Sequence, residues 1–151
     1  MLHMPRPETP ALTVDIVIEM HDRPDRPIVL IERKYPPIGW ALPGGFVDVG
    51  ETVSVAAVRE AKEETCLDVT LDVLLGCYSD PARDRRGHTV SLVYTAHATG
   101  EPRAADDAAN VLLLDPCDEA ALAGIEVTFD HRRILADYCH YRHTGEIRLP
   151  D

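Results

Sequence analysis

Gly44-Gly45-Phe46-Val47-Asp48-Val49-Gly50-Glu51-Thr52, with the run Arg59-Glu60-Ala61-Lys62-Glu63-Glu64-Thr65-Cys66-Leu67 downstream, decides how this chain folds. It reads as a glycine-rich turn feeding a helix from about Thr52 to Thr65, with Thr52 as N-cap. At 100° per residue, Val53, Ala56, Ala57, Glu60, Glu63 and Glu64 share one face. That face begins apolar and ends in three carboxylates. Glu60/Glu64 and Glu60/Glu63 are like-charge pairs at i,i+4 and i,i+3, each destabilising a helix by roughly 0.2–0.5 kcal/mol. A face that starts buried and ends this way calls for a cation, and hard oxygen ligands favour Mg²⁺ or Mn²⁺ over zinc. An isolated E-x-x-E-E run would more simply be a solvated helix end. The glycines ahead of it argue against that here. Gly44 and Gly45 are expected to take strained φ and let the backbone approach a ligand closely, and Pro43 to stiffen the entry.

The 151 residues suit one domain with a full core, residues 11–151, behind a loose tail, residues 1–10, that carries three prolines. A net charge of −11 makes a poor non-specific binder of nucleic acid. It also means that an anionic substrate must be met by metal ions or a local basic patch. Cys66, Cys77, Cys117 and Cys139 have no CxxC spacing, and there is no signal peptide or long apolar run. Reduced thiols, a cytoplasmic location and no membrane partner are expected.

Leu12, Val14, Ile16, Ile18 and Met20 alternate with Thr13, Asp15 and Glu19, the pattern of a half-buried strand. Ile28 to Glu32 reads as its antiparallel partner across the turn His21–Pro27. A short strand is expected over 38–42. Val69 to Tyr78 and Thr89 to Ala98 read as two strands joined by a hairpin-type loop, and Val111–Leu114 as another. That loop gathers Arg83, Arg85, Arg86 and His88 in an otherwise acidic chain; it is either a solvated charged turn or a phosphate grip. Asp118–Ala123 is a short helix. A last helix opens at Asp130 as N-cap, with Phe129 and Ile134 as hydrophobic staple, and stops at Gly145. His131, beside that cap, is expected to be structural.

The spacing G-x5-E-x7-R-E-x-x-E-E, from Gly45 to Glu64, resembles the signature box of the Nudix hydrolases, and the likeness extends from Leu12 to about Tyr141. It implies an α/β fold, the Nudix α/β/α sandwich with a mixed sheet. It implies metal ligation by the Gly45 carbonyl, Glu60, Glu63 and Glu64, and a structural salt bridge between Glu51 and Arg59. Glu63 or Glu64 is expected to be the catalytic base. Where the family has a glycine past the helix end, this chain has Cys66, which must bear the strain of its Cβ or end the helix differently. Arg33 and Trp40 stand where the family often holds substrate, although Trp40 suits core packing as well. The stretch Tyr78-Ser79-Asp80-Pro81-Ala82-Arg83-Asp84-Arg85-Arg86-Gly87-His88 resembles the ADP-ribose pyrophosphatase branch and points to Arg83, Arg85 and His88 for phosphate or ribose. Asn110 occupies a position where related members carry a glutamate, leaving Asp106, Asp107, Glu119 or Glu126 as late acids.

The resemblance therefore implies metal-dependent hydrolysis of a nucleoside diphosphate linked to another group, with ADP-ribose giving AMP and ribose 5-phosphate. Nucleoside triphosphates, NADH and sugar nucleotides are the alternative substrates. A non-catalytic sensor of ADP-ribose-type ligands is the alternative of another class. Relatives of this kind are often homodimers.

Overall fold

The computed structural model describes residues 5–149. Residues 5–10 are exposed and without regular secondary structure; the rest of the expected tail, 1–4, lies outside the described residues.

The central strand is β1, Ala11–Met20. It runs parallel to β6, Thr89–Ala98, in register from Ala11↔Thr89 to Met20↔Ala98. β6 pairs antiparallel with β5, Thr70–Tyr78, across the expected hairpin. The other edge of β1 is divided. Its first half pairs with the three-residue β4, Gly44–Phe46, through Thr13↔Phe46, Val14↔Gly45 and Asp15↔Gly44. Its end meets β2, Ile28–Arg33, at Glu19↔Ile28. β2 carries the sheet on to β3, Trp40–Ala41, and to β7, Ala108–Leu114. Only Trp40 and Ala41 of the strand expected over 38–42 form a ladder.

Two helices cover the sheet from opposite sides. α1, Val53–Thr65, packs Ala56, Ala57 and Ala61 against Val14, Ile16, Ile18 and Met20. α3, His131–Thr144, packs Ile134, Leu135 and Tyr138 against Val17, Ile28 and Val93. Even and odd positions of β1 thus feed different cores, as strand geometry requires. The short α2, Glu119–Ala123, leads into α3. This is the α/β/α sandwich with a mixed sheet.

Several expectations need correction. β1 is buried on both faces rather than one, because α3 covers the side that bears Asp15 and Glu19. Those polar residues are satisfied in place: Ser91 Oγ donates to Asp15 Oδ2 and Tyr138 Oη to Glu19 Oε2. Asp130 is the N-cap residue of α3, but its carboxylate makes no cap hydrogen bond, being engaged by Arg83. Phe129 and Ile134 form no staple, since they pack into different clusters. The thiols are not all reduced: Cys117 and Cys139 form a disulfide between the segment before α2 and α3, while Cys66 and Cys77 are free. Thr52 does cap α1, its side chain accepting from Val55 N, and Cys66 ends the helix in the left-handed conformation the family's glycine would take.

Candidate active site

Gly44 and Gly45 press between β1 and α1. A Cβ on Gly44 would stand 2.2 Å from Val14 O, and one on Gly45 would stand 2.5 Å from the Glu60 carboxyl carbon. Neither glycine has positive φ. Close approach, rather than the strained φ expected from sequence, is what excludes a side chain here. The Gly44 N–H donates to Glu64 Oε2 at 3.0 Å, tying the turn to the end of the helix.

Arg59 braces the same turn from the helix side. Its Nε and Nη2 grip the two Glu51 oxygens at 3.0 and 2.6 Å, and Nη2 also reaches Phe46 O at 3.1 Å. Its Nη1 donates to Glu60 Oε1 at 2.9 Å and Glu63 Oε2 at 3.1 Å. Hydrogen bonds from Arg59, with one from the Asp48 N–H, hold the Glu51 carboxyl down at about 2.

Beside this turn opens a cleft of about 430 Å³ whose walls carry opposite charge. Asp15, Glu60, Glu64 and Asp107 supply the acidic side. Burial pushes Glu64 up to about 8, with Glu60, Asp15 and Asp107 adding repulsion against the Gly44 hydrogen bond. Burial raises Glu60 too, against the pull of Arg59. Burial would also raise Asp15, but His131, Ser91 and Arg83 together hold it below the ordinary carboxylate range. Facing these groups, the Arg33 and Arg86 guanidiniums lie 5.0 and 5.4 Å from the centroid of the Phe129 ring. Arg86 is paired with Asp84 at 2.8 Å. Arg33 spends its Nε on Pro37 O; its Nη atoms make no hydrogen bond among the described residues. Burial and the charge of Arg86 lower the Arg33 pKa, so an anion placed between the two would relieve both.

The sequence-derived candidates do not all meet in this cleft. Gly45, Glu60, Glu64, Arg33 and Arg83 line it. Glu63 is turned to Arg59 and away from it, and Trp40 packs against the core formed with α3. Arg83 reaches the cleft, but its side chain is 4% exposed and its guanidinium already committed to Asp130 and Thr89. Arg85 is exposed and off the lining; His88 bonds Ser79 O at 2.9 Å and closes its own loop. Asn110 bonds Glu32 on the strand pair β2–β7, and of the late acids only Asp107 lines the cleft. Asp15, Arg86 and Phe129 were not singled out as site residues. Asp15 had a signal, a carboxylate in the middle of the most apolar strand. Arg86 was indistinguishable from Arg85 without knowing where the loop turns.

Among the described residues, no group of three His, Cys, Asp or Glu side chains is arranged around a common metal position. The donors nevertheless suit a hard divalent cation. They are carboxylate and carbonyl oxygens, and the half-buried Glu60 and buried Glu64 both have raised pKa, a state a cation would relieve.

The sequence model described as NUDIX domain matches residues 9–138. An ADP-ribose pyrophosphatase from Methanocaldococcus jannaschii is 45% identical over 136 residues, 88% of this chain and 75% of that protein. A MutT/nudix family protein from Enterococcus faecalis superposes with TM-score 0.78 at 30% identity, over 96% of this chain and 67% of the other. A bifunctional NMN adenylyltransferase/ADP ribose pyrophosphatase from Francisella tularensis, complexed with AMP and a Mn ion, superposes with TM-score 0.72 at 27% identity, over 87% of this chain and 42% of the other. With the glycine turn, the Glu51–Arg59 brace and the carboxylates of α1 in their places, this chain belongs to the Nudix family.

Proposed function

We propose that this protein is a metal-dependent pyrophosphohydrolase that cleaves ADP-ribose to AMP and ribose 5-phosphate. One observation carries it: a single cleft sets buried, cation-seeking carboxylates opposite an arginine with free Nη groups, as a diphosphate bridging metal and guanidinium requires. The name of the Methanocaldococcus jannaschii relative supports the substrate.

Gly45 O, Glu60 and Glu64, joined by Glu63 once it turns from Arg59, are the groups that would hold the ion, Mg²⁺ or Mn²⁺; the manganese in the Francisella tularensis structure supports the choice. When bound, the ion neutralises diphosphate charge and polarises the phosphoryl oxygens. Arg33, with Arg86 beside it, holds the diphosphate against the Gly44–Gly45 turn. Water attacks phosphorus, the bridging P–O bond breaks, and the proton from water passes to a carboxylate. Glu64 is better placed for that proton than Glu63, because it lines the cleft while Glu63 is turned to Arg59.

The test is product chromatography with Mg²⁺ or Mn²⁺ and a panel of ADP-ribose, NADH, sugar nucleotides and triphosphates. AMP and ribose 5-phosphate are expected from ADP-ribose, with the rate reduced at least about 100-fold in Glu64→Gln. A faster triphosphate would keep the chemistry and move the substrate; no turnover of any member would sink the proposal. A cytoplasmic location and a homodimeric state, open to fractionation and light scattering, belong to the same proposal. No helix among the described residues is long and apolar enough to cross a membrane.

A further inference from the structure

His131 is 2% exposed at the start of α3 and lines the cleft. Its Nδ1 accepts the Leu42 N–H at 3.0 Å. A backbone N–H can only donate, so Nδ1 is unprotonated and the ring proton sits on Nε2. Among the described residues the nearest acceptor to that N–H is Asp15 Oδ1, at 3.6 Å, beyond hydrogen-bond length. Among the described residues no other donor is directed at Oδ1, since Ser91 Oγ and Arg83 Nη2 both approach Oδ2. No fully buried side-chain nitrogen or oxygen among the described residues lacks a partner, so Nε2 must open onto the cleft. Asp15 Oδ1 packs against Gly44, where a Cβ would collide with it.

A donor and an acceptor whose mutual contact, at 3.6 Å, is too long for a full hydrogen bond therefore stand side by side in the lining of the cleft. A phosphate oxygen would satisfy Nε2–H but be repelled by the Asp15 carboxylate. An ammonium would do the reverse. A hydroxyl group satisfies both at once, accepting from Nε2–H and donating to Oδ1.

We infer that His131 and Asp15 form a subsite for one sugar hydroxyl of the substrate, and that His131 is a specificity-determining residue. The assignment rests on the proposed hydrolysis of a diphosphate between two sugars, either of which carries suitable hydroxyls. Sites built to pair a substrate hydroxyl discriminate strongly against analogues lacking it, because the buried groups are then left unpaired.

The test compares wild type and His131→Asn on three substrates: ADP-ribose, its analogue lacking the adenosine 2′- and 3′-hydroxyls, and an ADP alkyl ester lacking the far sugar. Asparagine Oδ1 can replace Nδ1 as acceptor for Leu42 N–H while the Nε2–H is lost. Wild type should lose about 10- to 100-fold in kcat/KM on one of the two analogues, which identifies the sugar. His131→Asn should lose about as much on ADP-ribose and lose nothing further on that analogue. Equal losses on all three substrates, or a wild type indifferent to both deletions, would overturn the subsite and leave a structural histidine or a bound water. Wild type inactive on all three would instead defeat the proposed hydrolysis. A readout independent of turnover and of the variant's folding is the ¹⁵N resonance of the wild-type His131 Nε2–H. It should shift with AMP or with ribose 5-phosphate and not with inorganic pyrophosphate; no shift with either product overturns the inference.

Discussion

Cys66 ends α1 at φ 62° and ψ 13°, where a Cβ crowds the neighbouring carbonyl. For an L residue that conformation costs about 1–2 kcal/mol relative to the right-handed helix, and glycine escapes it. The thiol is exposed and off the cleft lining, so nothing offsets the strain through packing. Cys66→Gly should raise stability by about 0.5–1 kcal/mol in urea titration and leave turnover unchanged. An unaltered midpoint would mean that the helix end relaxes around the cysteine. Gly44 is the opposite case. The nearest obstacle to a Cβ is the backbone carbonyl of Val14, which cannot rotate away. Gly44→Ala should destabilise the fold by about 3 kcal/mol or more and abolish activity, whereas Gly87→Ala, with open space around the Cβ, should be neutral. Comparable thermal stability of the two variants would refute the close-approach argument. Both glycines of the turn are visible in the sequence, but the reason for them is not, because the obstacle at Gly44 is Val14, in a strand far away along the chain.

At the scale of elements, the disulfide Cys117–Cys139 fastens the segment before α2 to the middle of α3, closing a loop of 22 residues. Cross-linking a loop of that size restricts the unfolded chain by about 3 kcal/mol. Neither cysteine lines the cleft. Reduction, or Cys139→Ser, should therefore lower the unfolding midpoint by an equivalent amount while folded protein keeps its turnover; activity lost before unfolding would show that α2 and the bond support the cleft after all. Local signals made α1, the β5–β6 hairpin and α3 legible: a capping threonine, alternating side chains, and Gly145 at the stop. They failed where a partner came from far along the chain. Alternation at Asp15 and Glu19 suggests solvent, but α3 covers that face, and partners from elsewhere, Ser91 and Tyr138 among them, make the burial tolerable. Asp130 looked like a cap because nothing in the sequence placed Arg83 beside it. Cysteine spacing in sequence likewise gave no sign of a pair brought together by helix packing.

The whole molecule carries a net charge of −11, and the acidic wall of its cleft concentrates that burden where Glu64 is buried. With its carboxyl at about 8, Glu64 of the metal-free protein stays protonated through neutral pH, while in the unfolded chain it ionises near 4.5. The unfolded state then binds fewer protons than the folded one between those values. Stability must fall as pH rises across that window, by at most about 1.4 kcal/mol per pH unit for this one group, and level off above the folded pKa. A divalent cation substitutes for the proton and favours the ionised carboxylate, so its stabilisation by mass action should grow with pH. Thermal unfolding from about pH 5 to 8 should therefore give diverging curves, declining in EDTA and held up by saturating Mg²⁺ or Mn²⁺. Glu64→Gln should flatten the decline in EDTA and narrow the gap between the curves, because the amide neither titrates nor ligates as a carboxylate does. If wild type and Glu64→Gln decline in parallel without metal, the buried proton resides on another group. If they decline differently but metal stabilises both equally, Glu64 titrates as described while the cation is held by Glu60 and Glu63 without it.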